Sequence, residues 1–286
     1  VNALSTLTRI EVARNKELFA QEFSRGVPLG PLQRHLAVSG LSEGGRLLDV
    51  GSGAGLPGVV WAIGCFSFVV LPYRQRYWMI TRWNVFVALA ARYLCGIEWE
   101  VRGMENLPDA PVILLSKHQS AWETIFYCWL MPRPLIFVFK KSLLYIPFFG
   151  WGLAMLRMIA IDRSKGREAM NQVIEVGRKR LDGGSWVIMF PEGTRTPVGS
   201  QGKYKAGGAI LAIGTNTPVV PIAVSSGDCW PRNAFIKKPG MITVSIGTPI
   251  APDGLTPSEL MAKVENWIES EMRVITPDAY ADKANA

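Results

Sequence analysis

The chain has 286 residues, of which 49% are hydrophobic and only 19% charged, and its formal net charge is +8. That length admits one large domain with an appendage or two small ones, and the charge favours an anionic partner such as a phospholipid surface, a phosphorylated substrate or a nucleic acid. The cysteines (Cys65, Cys95, Cys128, Cys229) form no CxxC pair and suit neither a zinc site nor a disulfide framework, so no metal is expected and free thiols in a reducing compartment are.

Residues 1–58 read as helical, then glycine-rich. A short buried strand at Arg46–Val50 leads into Gly51-Ser52-Gly53-Ala54-Gly55. The apolar core from Val59 to Leu71 falls short of the roughly 20 residues a straight spanning helix needs. Arg74, Arg76 and Arg82 follow, interleaved with Tyr73, Tyr77, Trp78 and Trp83, as in an interface belt. A second apolar stretch, Trp83 to Ile97, is broken only by Arg92. Residues 59–97 are therefore expected to be membrane-anchoring helices, either a marginal span or a monotopic anchor with an interfacial helix. The alternative is a buried helical hairpin of a soluble domain. Positive charge after the anchor places the following domain on the cytoplasmic side.

From Glu98 to the end, strand-like and helix-like segments alternate. Strands are expected at Val112–Leu115, Ile136–Phe139, Met158–Ile161, Trp186–Phe190, Val219–Val224 and Ile242–Ile246. Amphipathic helices fit Ala121–Met131, Arg167–Leu181, Ala206–Gly214 and Pro257–Val274. This alternation predicts an α/β domain over 98–286, a mostly parallel mixed sheet flanked by helices.

Only His35 and His118 are available to a histidine mechanism, and His118 lies where a strand gives way to a helix. Such turns collect catalytic groups at the carboxyl edge of a parallel sheet. Glu123 is five residues on, so the two meet only if His118 stands in the loop and Glu123 in the first helical turn. Ser120 is a good N-cap and permits that arrangement. Ser120-Ala121-Trp122-Glu123 is also a capping box, in which Glu123 closes the helix start. One carboxylate is able to fill both roles. Bonded to one imidazole nitrogen, it fixes the tautomer and frees the other nitrogen to take a proton from an attacking hydroxyl.

Phe190-Pro191-Glu192-Gly193-Thr194-Arg195-Thr196 follows an apolar strand. Glycine allows close backbone approach, and arginine offers a planar donor fork suited to phosphate. Lys203 and Lys205 precede a helix start at Ala206-Gly207-Gly208, a second anion-binding feature. Arg163, after Ile161-Asp162, either contacts phosphate or pairs with Asp162 or Glu168 at the surface. Val219–Val224 reads as a core strand without a reactive group, so Pro221 would be structural or shape an acyl pocket.

With these motifs in hand, residues from about 60 to 275 resemble the bacterial 1-acyl-glycerol-3-phosphate acyltransferases. The residues that carry the resemblance are His118 with Glu123, Ile161–Arg163, Phe190–Arg195, Tyr204-Lys205 with Gly207, and Val220–Ile222, in that order. The chain departs from the family pattern in having Glu123 where aspartate is usual, and Arg157 and Ala160 where glycine and phenylalanine are usual. The resemblance implies the glycerophosphate acyltransferase fold and acyl transfer to the sn-2 hydroxyl of lysophosphatidate, giving phosphatidate. His118 would be the base, oriented by Glu123. Glu192, Gly193, Thr194, Arg195, Lys205 and Arg163 would line the phosphate site. The donor would be acyl-CoA or acyl-carrier protein, no further cofactor is implied, and the setting would be the bacterial inner membrane among phospholipids. A related acyltransferase would act on another lysolipid, such as lyso-ornithine lipid.

Leu47 to Gly58 resemble the cofactor loop of the ribosomal RNA methyltransferases that modify a guanine at N7 of the small-subunit RNA. No second strand ending in an acidic residue follows, and residues 1–58 are read as a truncated start of such a domain, joined by gene fusion or a start-site choice. The competing class, an RNA-binding or S-adenosylmethionine-dependent enzyme, would rest on this segment alone, and nucleic acid is not expected as a partner.

Overall fold

A computed structural model describes residues 46–47 and 70–281, except Phe148, Asn233, Phe235 and the side chains of Arg46, Leu47 and Arg163. All described residues belong to one compact unit. The methyltransferase-like loop at 51–58 and the apolar core at 59–69 lie outside the described residues.

Seven strands form one sheet: β2 (Ile97–Arg102), β3 (Ile113–Ser116), β4 (Leu135–Lys140), β5 (Ile159–Ile161), β6 (Trp186–Met189), β7 (Val219–Val224) and β9 (Gly240–Ile246), in the order β2-β9-β7-β3-β6-β4-β5. Every pairing is parallel except β7 with β9. Arg46–Leu47 (β1) and Ile236–Lys237 (β8) make a separate antiparallel pair. Both β3 and β7 are buried along their whole length, as expected of central strands covered on two faces.

The helices are α1 (Tyr73–Cys95), α2 (Trp122–Leu130), α3 (Phe149–Met155), α4 (Gly166–Asp182), α5 (Gly207–Thr215), α6 (Pro257–Ile275) and α7 (Pro277–Ala281). Side chains alternate across the sheet. Leu114, Ile188, Val220 and Val244 pack with Tyr77, Ala91, Trp122 and Phe126 of α1 and α2. Ile113, Leu115, Val187 and Val219 pack with Val173, Leu211 and Val264 of α4, α5 and α6. In α4 the buried Ala169, Val173, Gly177 and Leu181 recur every four residues, one stripe of a helix. Gly177 lies in that stripe because a Cβ there would come within 2.8 Å of Leu211. Thr256 and Glu259 close the start of α6 with a full capping box behind Pro257.

The anchor expected over residues 59–97 is described only from residue 70 onward. Residues 73–95 are one continuous helix whose buried face, Tyr77, Thr81, Val87, Ala88, Ala91 and Cys95, packs into the domain. Four arginines on it keep it from being an apolar span, and among the described residues no helix is long and apolar enough to cross a membrane. β2 was not anticipated either: Ile97 was read as the end of the apolar stretch, yet Ile-Glu-Trp-Glu-Val-Arg alternates as a sheet-edge strand should.

Arg157, where the family usually carries glycine, has φ +56 just beyond α3. Left-handed backbone there favours glycine. The guanidinium lies 4.6 Å from the centre of the Tyr73 ring, a contact that offsets part of the strain.

Candidate active site

Because β3, β6 and β4 are parallel, they deliver the loops that follow them to one edge of the sheet. His118 sits in the loop between β3 and α2, and Glu123 is in the first turn of α2. Nδ1 of His118 lies 2.9 Å from Oε2 of Glu123. Glu123 also accepts from the backbone N–H of Gln119 at 3.1 Å, from that of Ser120 at 2.9 Å and from the hydroxyl of Ser226. Ringed by donors, Glu123 acts as an acceptor only, so Nδ1 carries the proton and Nε2 offers a lone pair. The His118 side chain is 13% exposed and that of Glu123 0%, so the imidazole is reachable and the carboxylate beside it is dry.

Glu123 fills both roles read for it. Its carboxylate bonds the Ser120 N–H, one half of a capping box, while the Ser120 hydroxyl accepts from Trp122 N at 2.9 Å. The extra methylene relative to aspartate is taken up in reaching the imidazole, the two backbone donors and Ser226 together.

The 190–196 segment grips His118 from the other side. The Phe190 ring stacks on the imidazole, with centroids 3.8 Å apart and planes 15° apart. The His118 N–H donates to Glu192 Oε2 at 3.1 Å, and the His118 carbonyl accepts from Thr196 N at 2.8 Å. Glu192, expected to line the phosphate site, is turned into the protein. Its buried carboxylate also takes Lys117 Nζ at 2.8 Å and Gly202 N at 3.2 Å, which ties the loop instead of presenting negative charge to a phosphate. At Gly202 a Cβ would stand 2.8 Å from Thr196 and 3.0 Å from Glu192, so the chain passes there only without a side chain.

The cations gather around the same loop. Gly193 takes φ +69, Thr194 is exposed and Arg195 half-buried. The Arg195 guanidinium has no hydrogen bond or ion pair with the described residues, and the exposed Arg232 donates to the Arg195 carbonyl at 3.1 Å. Lys205 N donates to Pro191 O at 2.9 Å, which brings that exposed lysine to the loop just before α5. For Arg163 the backbone opens a single 3-10 turn after Asp162, and its side chain is outside the described residues; Glu168 pairs with Lys165 instead. Pro221 is not brought to His118. It is in register with Leu115, and Gly247 is squeezed between its ring and Trp267 on the α5–α6 face.

Sequence reasoning missed three residues. Lys117, next to His118, carried no reading of its own, yet it is fully buried against Glu192 and Glu269. Ser226 and Arg232 follow β7 in a loop without a motif, and only the fold carries them to Glu123 and Arg195.

A histidine–carboxylate pair at the strand ends of a parallel sheet, facing a cationic loop, defines the class of acyltransferases in which the acceptor supplies its own nucleophile. The Acyltransferase family model matches residues 98–225. A 1-acyl-sn-glycerol-3-phosphate acyltransferase of Pseudomonas aeruginosa is 44% identical over 223 residues, 76% of this chain and 86% of that one. One of Saccharomyces cerevisiae is 30% identical over 241 residues, 82% of this chain and 77% of that one. The crystal structure of the 1-acyl-sn-glycerophosphate acyltransferase from Thermotoga maritima shares the fold, with a TM-score of 0.62 at 22% identity over 77% of this chain and 88% of that one. The chain belongs to the 1-acyl-sn-glycerol-3-phosphate acyltransferase family.

Proposed function

We propose that the chain moves a fatty acyl group from a thioester, acyl-CoA or acyl-carrier protein, to the sn-2 hydroxyl of 1-acyl-glycerol-3-phosphate. Nε2 of His118 takes the hydroxyl proton as that oxygen attacks the thioester carbonyl. Glu123 stabilises the imidazolium that forms. As the tetrahedral intermediate collapses, the C–S bond breaks and the imidazolium returns its proton to the leaving thiolate. Phosphatidate and a free thiol depart. Arg195 and Lys205, with Gly193 and Thr194 supplying backbone, hold the acceptor phosphate; Arg163 is a further candidate for that role.

The observation that carries this reading is the imidazole held through Nδ1 by a buried carboxylate while Nε2 stays accessible. The test is mass-spectrometric detection of phosphatidate from lysophosphatidate and each thioester, with His118→Ala as control. General-base removal is expected to lower turnover by about 10²–10⁴-fold. A loss below about tenfold would overturn the assignment of the base.

A further inference from the structure

The loop that follows β7 carries no motif, yet it is fastened to the site at Glu123, Gln119 and Arg195. β7 runs parallel to β3, so this loop leaves the sheet at the same edge as His118. Its Ser226 hydroxyl donates to Glu123, and its Gly227 N–H donates to Gln119 Oε1 at 3.1 Å. At Gly227 a Cβ would stand 2.5 Å from Val198, so the backbone there lies directly on the segment that follows Arg195. Further along, the Trp230 N–H donates back to Ser226 O at 2.9 Å, and the Ala234 N–H to Pro231 O at 3.2 Å. Lys237 Nζ lies 4.9 Å from the centre of the Trp230 ring. Arg232 stands on this braced arm, and its Nη1 donates to the Arg195 carbonyl at 3.1 Å.

That bond engages one N–H of a guanidinium that has several, all donors and none an acceptor. The Arg232 side chain is exposed and makes no ion pair with the described residues. Asp228, exposed in the same loop, is not paired with it. Two arginines tied together in this way, neither with a carboxylate, suit an anion that bears more than one charge. A phosphate monoester is such an anion, with a charge of about −1.5 to −2 at pH 7 and three terminal oxygens. A diester has a charge of about −1, and a second ester takes one of those oxygens. The planar fork of Arg195 matches two phosphate oxygens, which leaves the third to another donor.

We infer that Arg232 is a specificity-determining residue: it binds the third terminal oxygen of the acceptor phosphate and so selects lysolipids with a phosphomonoester headgroup over those with a phosphodiester. The inference rests on the proposed phosphate site and extends it to a residue outside the 190–205 segment.

The test is isothermal titration calorimetry of the full chain in nonionic detergent with dodecyl phosphate, a monoester, and with dodecyl methyl phosphate, its diester. Wild type should bind the monoester at least about tenfold more tightly. Arg232→Gln should shrink that preference to about threefold or less by weakening the monoester alone. A wild type without the preference overturns the proposal, as does a variant that keeps it. Equal weakening of both ligands overturns it too, since Arg232 would then only tether the Arg195 backbone. Acylation is read separately, from the phosphatidate that wild type forms. If none forms, the proposed reaction fails, and the calorimetry still decides the role of Arg232.

Discussion

Nζ of Lys117 lies 2.8 Å from Oε1 of Glu192, with both side chains closed to solvent. The contact joins the residue before His118 to the loop that stacks on it. Glu269 of α6 takes the same ammonium at 2.8 Å, and the Tyr204 hydroxyl donates to Glu269 at 2.8 Å. One cation therefore ties together three chain segments, β3, the 190s loop and α6.

The first prediction concerns that cation. Lys117→Met leaves two buried carboxylates without their partner, and removing one member of a buried ionic group costs about 3–5 kcal/mol. Urea unfolding should show a loss of that size. Adding Glu269→Gln should restore part of it by removing one of the stranded charges. A Lys117→Met protein within about 1 kcal/mol of wild type would contradict the network.

Ser226 gives the second. Its hydroxyl donates to Glu123 beside the Gln119 and Ser120 N–H groups. Charge-assisted hydrogen bonds of this kind are worth about 1.5–3 kcal/mol, so Ser226→Ala should lower kcat about 10- to 100-fold, and Ser226→Thr should recover most of it. A kcat within about twofold of wild type in Ser226→Ala would mean that Ser226 only fills space.

The expected sheet and helices were legible because their periods are clean: Val219–Val224 is apolar throughout, and Pro257–Ile275 opens with its own capping box. The pairing of His118 with Glu123 was readable from a five-residue spacing across a helix start. The inward direction of Glu192 was not legible, because a motif shows which residues recur together but not which way a carboxylate points. Ser226 is 103 positions from Glu123, and long-range contacts of that kind leave no local pattern. Residues 83–97 form the later part of α1 and the start of β2, and their sequence does not separate an apolar helical face that meets α2 from one that meets lipid.

A third prediction follows from the thiols. Burial pushes Cys128 up to about 12, against weaker opposing hydrogen bonds to Tyr77 and Asn84. Burial, then the charge of Asp228, pushes Cys229 up to about 11. The unfolded chain releases these protons near pH 9, where the native chain still holds them. Their contribution to stability is complete below that point and is lost as pH climbs through the folded values. Urea midpoints should thus fall between about pH 9 and 12, less steeply in Cys229→Ala. Below pH 9 the native chain treated with iodoacetamide should keep Cys128 and Cys229 unmodified, read by peptide mass spectrometry, until urea is added.

The last prediction separates acceptors. The Arg195 guanidinium is half-exposed, has no partner among the described residues, and stands on the loop to which Lys205 and Arg232 are tethered. If it grips the acceptor phosphate, Arg195→Ala forfeits charge-assisted hydrogen bonds worth about 1.5–3 kcal/mol and should raise KM for lysophosphatidate about 10- to 100-fold. The effect should lie in KM more than in kcat, since the phosphate is bound alike before and during transfer. Lyso-ornithine lipid has no phosphate, so its KM should not move. Offering both acceptors to one preparation therefore reads the role directly. Equal losses on the two would place Arg195 in the scaffold of the loop, and no loss on either would remove it from the site.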